Sequence, residues 1–553
     1  MLFDTLPVII RERVIQFVVE ENSVCLETWK ENMKLLAVSH EWREIAKRLV
    51  YKNAFITNND SEEKESSNSD TKVSKLLTNI GLIQSTNNVH MVKHLDLYLQ
   101  EHQLTTTSLQ QLSQMFNFTS TKWENVKFFN VSMYLDYRSR SVNDDHEYVF
   151  AQCPELEKPM GRFANRIIQH MPGVTGLRLK SHESDRVAGV FCNKLANAYA
   201  RQLAFLDCNT ELTFTVGGAF SDKLEHLSIR PRMAAGSGRL LPRISPGALR
   251  YLMLGGLSAD FSWNYFEDGW SRNGKGNGNV RFDNLTTLEL NFETMMDDIE
   301  VAMSQMQHTS LHSDETQLNV SFPKLADIVI NGNPIDSKII TSARMPSHID
   351  TLTVMESLET LKVSSELQTC SIGRLTAILN LDYYTSESDF YHITNHLFGC
   401  SSNCQEVALE LRNIPFDLDP KRLEWDKVTE LTISNVIDYT VLTRVISSLP
   451  NLQDLVVSQL SSNEVADDML SVNCVDNENE LRIETECLRS VWFLNTADDS
   501  LNEACALCVH HLALQVPSLA NIRTFYFGRD EMYDLVEEFQ HDYPHLQMLN
   551  IID

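Results

Sequence analysis

The chain has 553 residues, 43% of them hydrophobic and 22% charged, with 47 Lys/Arg against 75 Asp/Glu and a formal net charge of −28. This is the composition of a folded chain long enough for several domains or one long repeat array, and it excludes a collagen-like or wholly disordered one. So large a negative excess repels phosphate backbones and anionic membranes, so neither nucleic acid nor membrane is expected as a partner.

The N-terminal stretch Met1-Leu-Phe-Asp-Thr-Leu-Pro-Val-Ile-Ile is cut short by Arg11, Glu12 and Arg13. It reads as neither signal peptide nor membrane span, and no other apolar run reaches the roughly 18 residues a span needs. The 11 cysteines lie between Cys25 and Cys508 without a regular framework. In a chain this size that pattern reads as reduced thiols, so a cytoplasmic or nuclear location is expected.

Residues 1–56 form the first segment. Thr5 is placed to cap a helix that Pro7 pre-organises, with Val8, Ile9, Val14, Ile15, Phe17 and Val18 as its apolar positions. A second apolar-periodic stretch runs through Leu35, Leu36, Val38, Trp42, Ile45, Ala46 and Leu49. Two or three short helices bury too little surface to stand alone, so this head needs either the rest of the chain or another protein.

The order Leu6-Pro7, Val14-Ile15, Phe17-Val18, Leu36, Val38-Ser39, Trp42-Arg43, Ile45-Ala46 and Leu49-Val50-Tyr51 resembles an F-box over about a tenth of the chain. The resemblance implies an all-α head that docks onto a Skp-type adaptor, and through it a cullin, by burying Leu6, Pro7, Ile15, Val38 and Trp42. The stretch from Glu20 to Lys30 is several residues longer than that family's usual spacing. The alternative reading of the same residues is a helical cap on a repeat array. Residues 57–75, rich in Asn, Ser, Asp and Glu, read as a polar acidic linker. A linker of that kind suits a docking head better than a cap.

Residues 76–553 are expected to be a degenerate repeat. From Val92 the pattern apolar-x-x-apolar-x-apolar returns at Val92, Val174, Leu224, Leu249, Leu285, Leu325, Ile349, Val428, Leu452, Leu488, Ile522 and Leu546. Weaker copies start at Val126, Leu203, Leu375 and Cys404. The bare pattern would arise by chance about 20 times in a chain this long, so spacing carries the argument. Four intervals are 24 residues, and Pro172, Pro323, Pro450 and Pro544 each stand two residues before an anchor. Proline there ends a helix and feeds an extended strand. Amphipathic stretches such as Thr440–Leu449 and Tyr533–Phe539 supply the intervening helices. The succession of strand, turn and helix resembles the intracellular leucine-rich repeats. That implies an α/β solenoid with a parallel sheet inside and helices outside, although the family's buried Asn appears only at Asn333.

Residues between and just after the anchors point away from the core. They give Arg178, Lys180, His226 and Arg230 early, and Trp492, Leu494, Tyr526, Met548 and Ile552 late. Residues 174–250 carry 11 Lys/Arg against 6 Asp/Glu, a basic patch suited to an acidic or phosphorylated target. Trp492 and Tyr526 are anchors of the kind that dominate protein interfaces. Arg178, Lys180, Arg230, Trp492 and Tyr526 are therefore the expected target-binding residues.

No catalytic constellation emerges. Cys505-Ala-Leu-Cys508 with His510 and His511 has half a zinc pattern, but its apolar neighbours read as a core helix. The glycine-rich Asn273–Asn279 lacks the ending of a phosphate loop. Together with the resemblance, these readings lead to a non-catalytic, cofactor-free substrate receptor of a Skp-cullin-F-box ubiquitin ligase. The alternative is an interaction scaffold without a ubiquitin role.

Overall fold

A computed structural model of the chain describes residues 26–37, 40–58, 76–102, 105–118, 121–135, 154–181, 185–213, 219–231, 244–257, 279–292, 319–332, 343–355, 370–380, 404–412, 426–461, 485–493, 515–524 and 547–550, with Ile10, Arg13, Trp263 and Leu512 besides. The chain divides into two compact units, Met1–Leu257 with Trp263–Leu285, and Ser258–Ser262 with Thr286–Asp553.

The first unit opens with α1 (Leu26–Lys34) and α2 (His40–Val50), then β1 (Asn53–Asn58), β2 (Leu76–Thr78) and α3 (Ile80–Ser85). It continues with β3 (His94–His102), α4 (Thr106–Phe116), β4 (Phe128–Leu135), α5 (Pro154–His170) and β5 (Gly176–Ser181). After these come α6 (Arg186–Tyr199), β6 (Phe205–Leu212), β7 (His226–Pro231), β8 (Tyr251–Leu257) and the short β9 (Asn279–Arg281). The sheet order is β2-β1-β3-β4-β5-β6-β7-β8, parallel throughout except for the antiparallel β2.

One backbone device repeats along this sheet. The two amides that lead into each strand share a single carbonyl of the strand before. Lys93 and His94 donate to Lys52, Lys127 and Phe128 to Lys93, and Thr175 and Gly176 to Lys127. Ala204 and Phe205 donate to Thr175, Glu225 and His226 to Ala204, and Arg250 and Tyr251 to Glu225, all at 2.7–3.2 Å. The register that follows stacks Leu95, Phe129, Leu177, Leu206, Leu227 and Leu252 in one row, each 0% exposed.

Helices cover that apolar face. Asp185 caps α6 by accepting from the Ala188 amide, and Val187, Phe191, Cys192, Leu195 and Tyr199 are buried beneath it. Phe163 of α5 stacks on Phe191 at 5.8 Å, and the Tyr199 hydroxyl donates to the Met171 carbonyl. Asn193 and Asn197 of α6 clasp the end of β6 through the Glu211 carbonyl and both backbone groups of Thr213.

The second unit contains β10 (Thr287–Phe292), the short β11 (Asn319–Ser321), β12 (Asp327–Asn331), β13 (His348–Met355), β14 (Ser371–Asn380), β15 (Cys404–Arg412) and β16 (Val428–Asp438). It ends with α7 (Tyr439–Ser448), β17 (Asp454–Ser461), β18 (Ser490–Phe493), β19 (Asn521–Thr524) and β20 (Gln547–Asn550). Without β11 these strands form a parallel run in chain order. Carbonyl sharing returns at Thr286, Ala326 and Gln453. Gly332 closes β12 at φ +82°, where a Cβ would lie 2.4 Å from the Phe292 carbonyl oxygen.

The mixed α/β architecture with a mostly parallel sheet agrees with expectation, and α7 falls on the amphipathic stretch expected at Thr440–Leu449. Three details differ. The boundary expected at residue 56 lies inside β1, because Lys52 supplies the first shared carbonyl and Tyr51-x-x-Ala54-x-Ile56 is itself a repeat, with all three apolar residues buried. Of the expected polar linker 57–75, Thr57 and Asn58 belong to β1, and residues 59–75 lie outside the described residues. β1 pairs with β2 at Ile56 and Thr78. Two anchors also slip by three residues. Register pairs Ile372, not Leu375, with Ile349, and pairs Ile522 with Val491, which makes Leu519 the anchor. Leu519 is 1% exposed, and its amide bonds the carbonyl three residues back, as those of Val126, Leu224 and Leu452 do. Pro517 then stands two residues before it, like the other four prolines.

This register gives a stability prediction. Leu519→Ala should destabilise the second unit by about 2–5 kcal/mol, the cost of truncating a fully buried leucine, seen as a lower denaturation midpoint. A midpoint equal to the parent's would return the anchor role to Ile522.

Candidate interaction surface

Strand alternation sends every second residue of the first unit's sheet away from the helices. The register lines His94, Phe128, Gly176, Phe205, His226 and Tyr251 into one row on that open face. His226 lies between Phe205 and Tyr251, 4.2 Å from each ring centroid and within 12° of parallel. Phe128 approaches Phe205 at 5.4 Å across the intervening strand, and His94 approaches Phe128 at 5.9 Å. The missing side chain of Gly176 makes this possible, since a Cβ there would be 2.4 Å from Phe128 Cδ2. Each aromatic contact of this kind contributes about 0.5–1.5 kcal/mol beyond the area it buries.

The next row outward is polar up to its last member: Asp96, Asn130, Arg178, Asp207 and Ser228, then Met253. Asp207 is its hub. Its carboxylate accepts from Arg178 Nε at 3.2 Å, Lys180 Nζ at 2.7 Å and the Ser228 hydroxyl at 3.1 Å. The Arg178 guanidinium also stands 5.7 Å from the Phe205 ring centroid. Asn130 donates to Asp96, whose carboxyl is pushed above its usual range by burial, against the pull of Asn130 and Arg178. Both imidazoles are held below their ordinary value, chiefly by burial. Lys52 adds to this at His94, while at His226 Asp207 opposes it and Arg178 and Lys180 reinforce it.

Of the residues expected to bind a target, Arg178 and Lys180 come together on one carboxylate. Arg230 lies on β7, with its aliphatic stem beside Gly255. Trp492 belongs to the second unit, on β18, with its indole donating to the Ser490 hydroxyl at 2.9 Å. Tyr526 lies outside the described residues, as do Leu6, Pro7, Ile15, Val38, Asn333, Cys505, Cys508, His510 and His511. Of the ring row, the sequence reading named His226 alone, although each member stands two residues past an anchor. No group of three His, Cys, Asp or Glu among the described residues could hold a metal ion. Nor is any described helix long and apolar enough to cross a membrane. A hydrogen bond with Cys208, together with burial, raises the Cys192 thiol well above its usual value, as suits a core residue rather than a nucleophile.

The described head has two apolar stripes. Trp29, Ala46 and Val50 are buried; the Trp29 indole donates to the Val50 carbonyl, and its ring meets Phe55 of β1 edge-on at 6.3 Å. Leu35, Leu36, Trp42, Ile45 and Leu49 are only partly buried. Charge divides unevenly along the chain. Residues 286–553 hold 14 Lys/Arg against 43 Asp/Glu, whereas residues 1–285 hold 33 against 32.

Neither protein-family models nor curated proteins give a match to this chain.

The two lowered imidazoles set a pH dependence. Histidines in the unfolded chain protonate first as pH falls, so their contribution is complete above the ordinary imidazole range and is lost on descending through it. Asp96 acts oppositely, losing its contribution as pH rises through the carboxylate range, well below that window. Between about pH 7.5 and 5.5 the parent's melting temperature should fall, and His226→Phe, which keeps the stack, should fall less. Equal slopes would remove His226 from this role.

Proposed function

We propose that the protein is a non-catalytic receptor subunit of a Skp-cullin-F-box ubiquitin ligase, its leucine-rich repeats holding a target and its helical head holding the adaptor. The observation that carries this reading is the second apolar stripe of the head. On α2, Trp42, Ile45 and Leu49 follow one another at three- and four-residue steps, beside Ala46 and Val50, which pack inward. The head thus turns one stripe inward, with Trp29 against Phe55 of the first repeat, and carries a second, half-buried stripe beside it. An apolar helical face of this kind is what an adaptor groove buries, and burying it on binding contributes to affinity in proportion to area. The repeat face supplies the other half, since ubiquitin transfer needs the target held near the ligase rather than further chemistry from this chain.

A second reading is favoured by one observation: α2 runs directly into β1, and Trp29 covers Phe55. In that case the head is a cap and the protein an interaction scaffold without a ubiquitin role.

The two readings part on adaptor capture. The full chain should co-purify with a Skp-type adaptor, and Trp42→Ala with Leu49→Ala should weaken capture at least about tenfold while the melting temperature stays near the parent's. Failure of the parent to capture the adaptor would overturn the receptor reading and leave the capped scaffold.

A further inference from the structure

The polar row beside the rings carries an arrangement that the composition of the patch does not reveal. Arg178 and Lys180 are 46% and 33% exposed, whereas the Asp207 carboxylate that holds them is only 13% exposed. Around Asp207 two cations share one anion, a local surplus of one positive charge on side chains already held in place. Asp96, the other carboxylate within the field of Arg178, is half-buried two strands away and held by Asn130. Arg178 reaches Asp207 through Nε, which leaves the outer edge of its guanidinium as the part a ligand would meet. Beside this cluster the ring row runs from β3 to β8, five strand spacings or about 24 Å, the length of about eight extended residues.

We propose that the open face of the first unit binds an extended, unphosphorylated acidic segment of a partner protein, one carboxylate bridging Arg178 and Lys180 and the segment's apolar side chains lying along the ring row. This names the target class for the repeat face and rests on reading that face as a target-binding scaffold. The match is one of charge and shape. A carboxylate carries the single negative charge that the cluster lacks, and an arginine fork suits its geometry. A phosphoryl group brings about −1.5 to −2 and would sit close to Asp207, whose charge it would oppose. Because Asp207 already orders both cations, little side-chain freedom remains to be lost on binding.

The test uses the labelled full-length chain on arrays of roughly eight-residue peptides. One set combines Glu with Leu and Phe, a second replaces each Glu by phosphoserine, and a third replaces each Glu by Gln. The parent should retain the Glu set at least about tenfold above the Gln set, and above the phosphoserine set. Arg178→Gln with Lys180→Gln should bring the Glu set down to the Gln level, while the charge-preserving pair Arg178→Lys with Lys180→Arg should keep most of the binding. Asp207→Asn, which raises the surplus charge, should move the preference toward the phosphoserine set; a merely structural Asp207 would weaken all sets alike. Preference of the parent for phosphoserine would overturn the proposal. So would equal retention of the Glu and Gln sets, or an unaffected double glutamine variant. Salt-sensitive self-association abolished by that double variant would instead assign the face to a second copy of the chain. Adaptor capture by the same preparations is independent: its loss with peptide binding intact overturns only the receptor reading, and the converse overturns only this one.

Discussion

The carbonyl that receives two amides from the following strand is the constraint on which the first unit depends. It fixes where each strand begins relative to the last, before any side chain is considered. Once that point is set, the two-residue alternation of a strand leaves no freedom: one set of side chains faces the helices and the other faces out. The buried apolar row and the half-buried, outward-facing row of rings are consequences of the same bond. A slip of one residue would drive Phe205, His226 and Tyr251 into the core and bring leucines to the surface. The bond therefore protects both the stability of the core and the composition of the open face.

The same constraint explains how an ion cluster can be organised on a surface where isolated ion pairs contribute little. Arg178, Asp207 and Ser228 are brought abreast by register alone, and Lys180 approaches from two residues further along β5. Their positions are set by backbone geometry that folding has already stabilised, so the side chains have only short distances left to close. The aromatic row works alongside it. Parallel strands lie about 4.8 Å apart, and rings on neighbouring strands come to 4.2 Å by leaning together. A glycine at residue 176 lets a ring from the adjacent strand lean across the gap. The pKa of the histidine inside the stack is lowered mainly by the same burial that makes the stack favourable.

The repeat was legible in the sequence where apolar residues fall at fixed offsets and a proline marks the entry, as at Val174 and Leu452. It was misread where the local sequence offers two overlapping frames. Around residue 375, Ile372-x-x-Leu375-x-Ala377 fills all three apolar positions, whereas the frame from Leu375 ends on Asn380, and pairing with β13 selects the first. Around residue 522, Pro517 was the available signal, and it points to Leu519. The first repeat was hidden because Tyr51 also completes the head's pattern and Ala54 is a weak anchor. Counted from the anchors expected in the sequence, an asparagine stands at the family's offset only at Asn333. In β6 that clasping is done by Asn193 and Asn197, which approach from the helix before the strand. The basic patch was visible as composition, but its neutralisation by Asp207 required knowing which strands are neighbours.

The place of the acidic stretch 57–75 changes what the head's role can rest on. β1 and β2, the strands on either side of that stretch, pair with each other. The head is joined to the first repeat without a spacer, through α2, Lys52 and β1. An adaptor bound on the stripe of Trp42, Ile45 and Leu49 would thus be held by a rigid connection to the first strand of the repeats rather than by a flexible one. For a receptor this has a definite physical meaning. A flexible tether offers a target at an effective concentration spread over the volume it explores, whereas a direct helix-to-strand junction confines the search to few orientations. The junction that argues for a cap on grounds of packing is, for a docking head, the element that would carry orientation from adaptor to target.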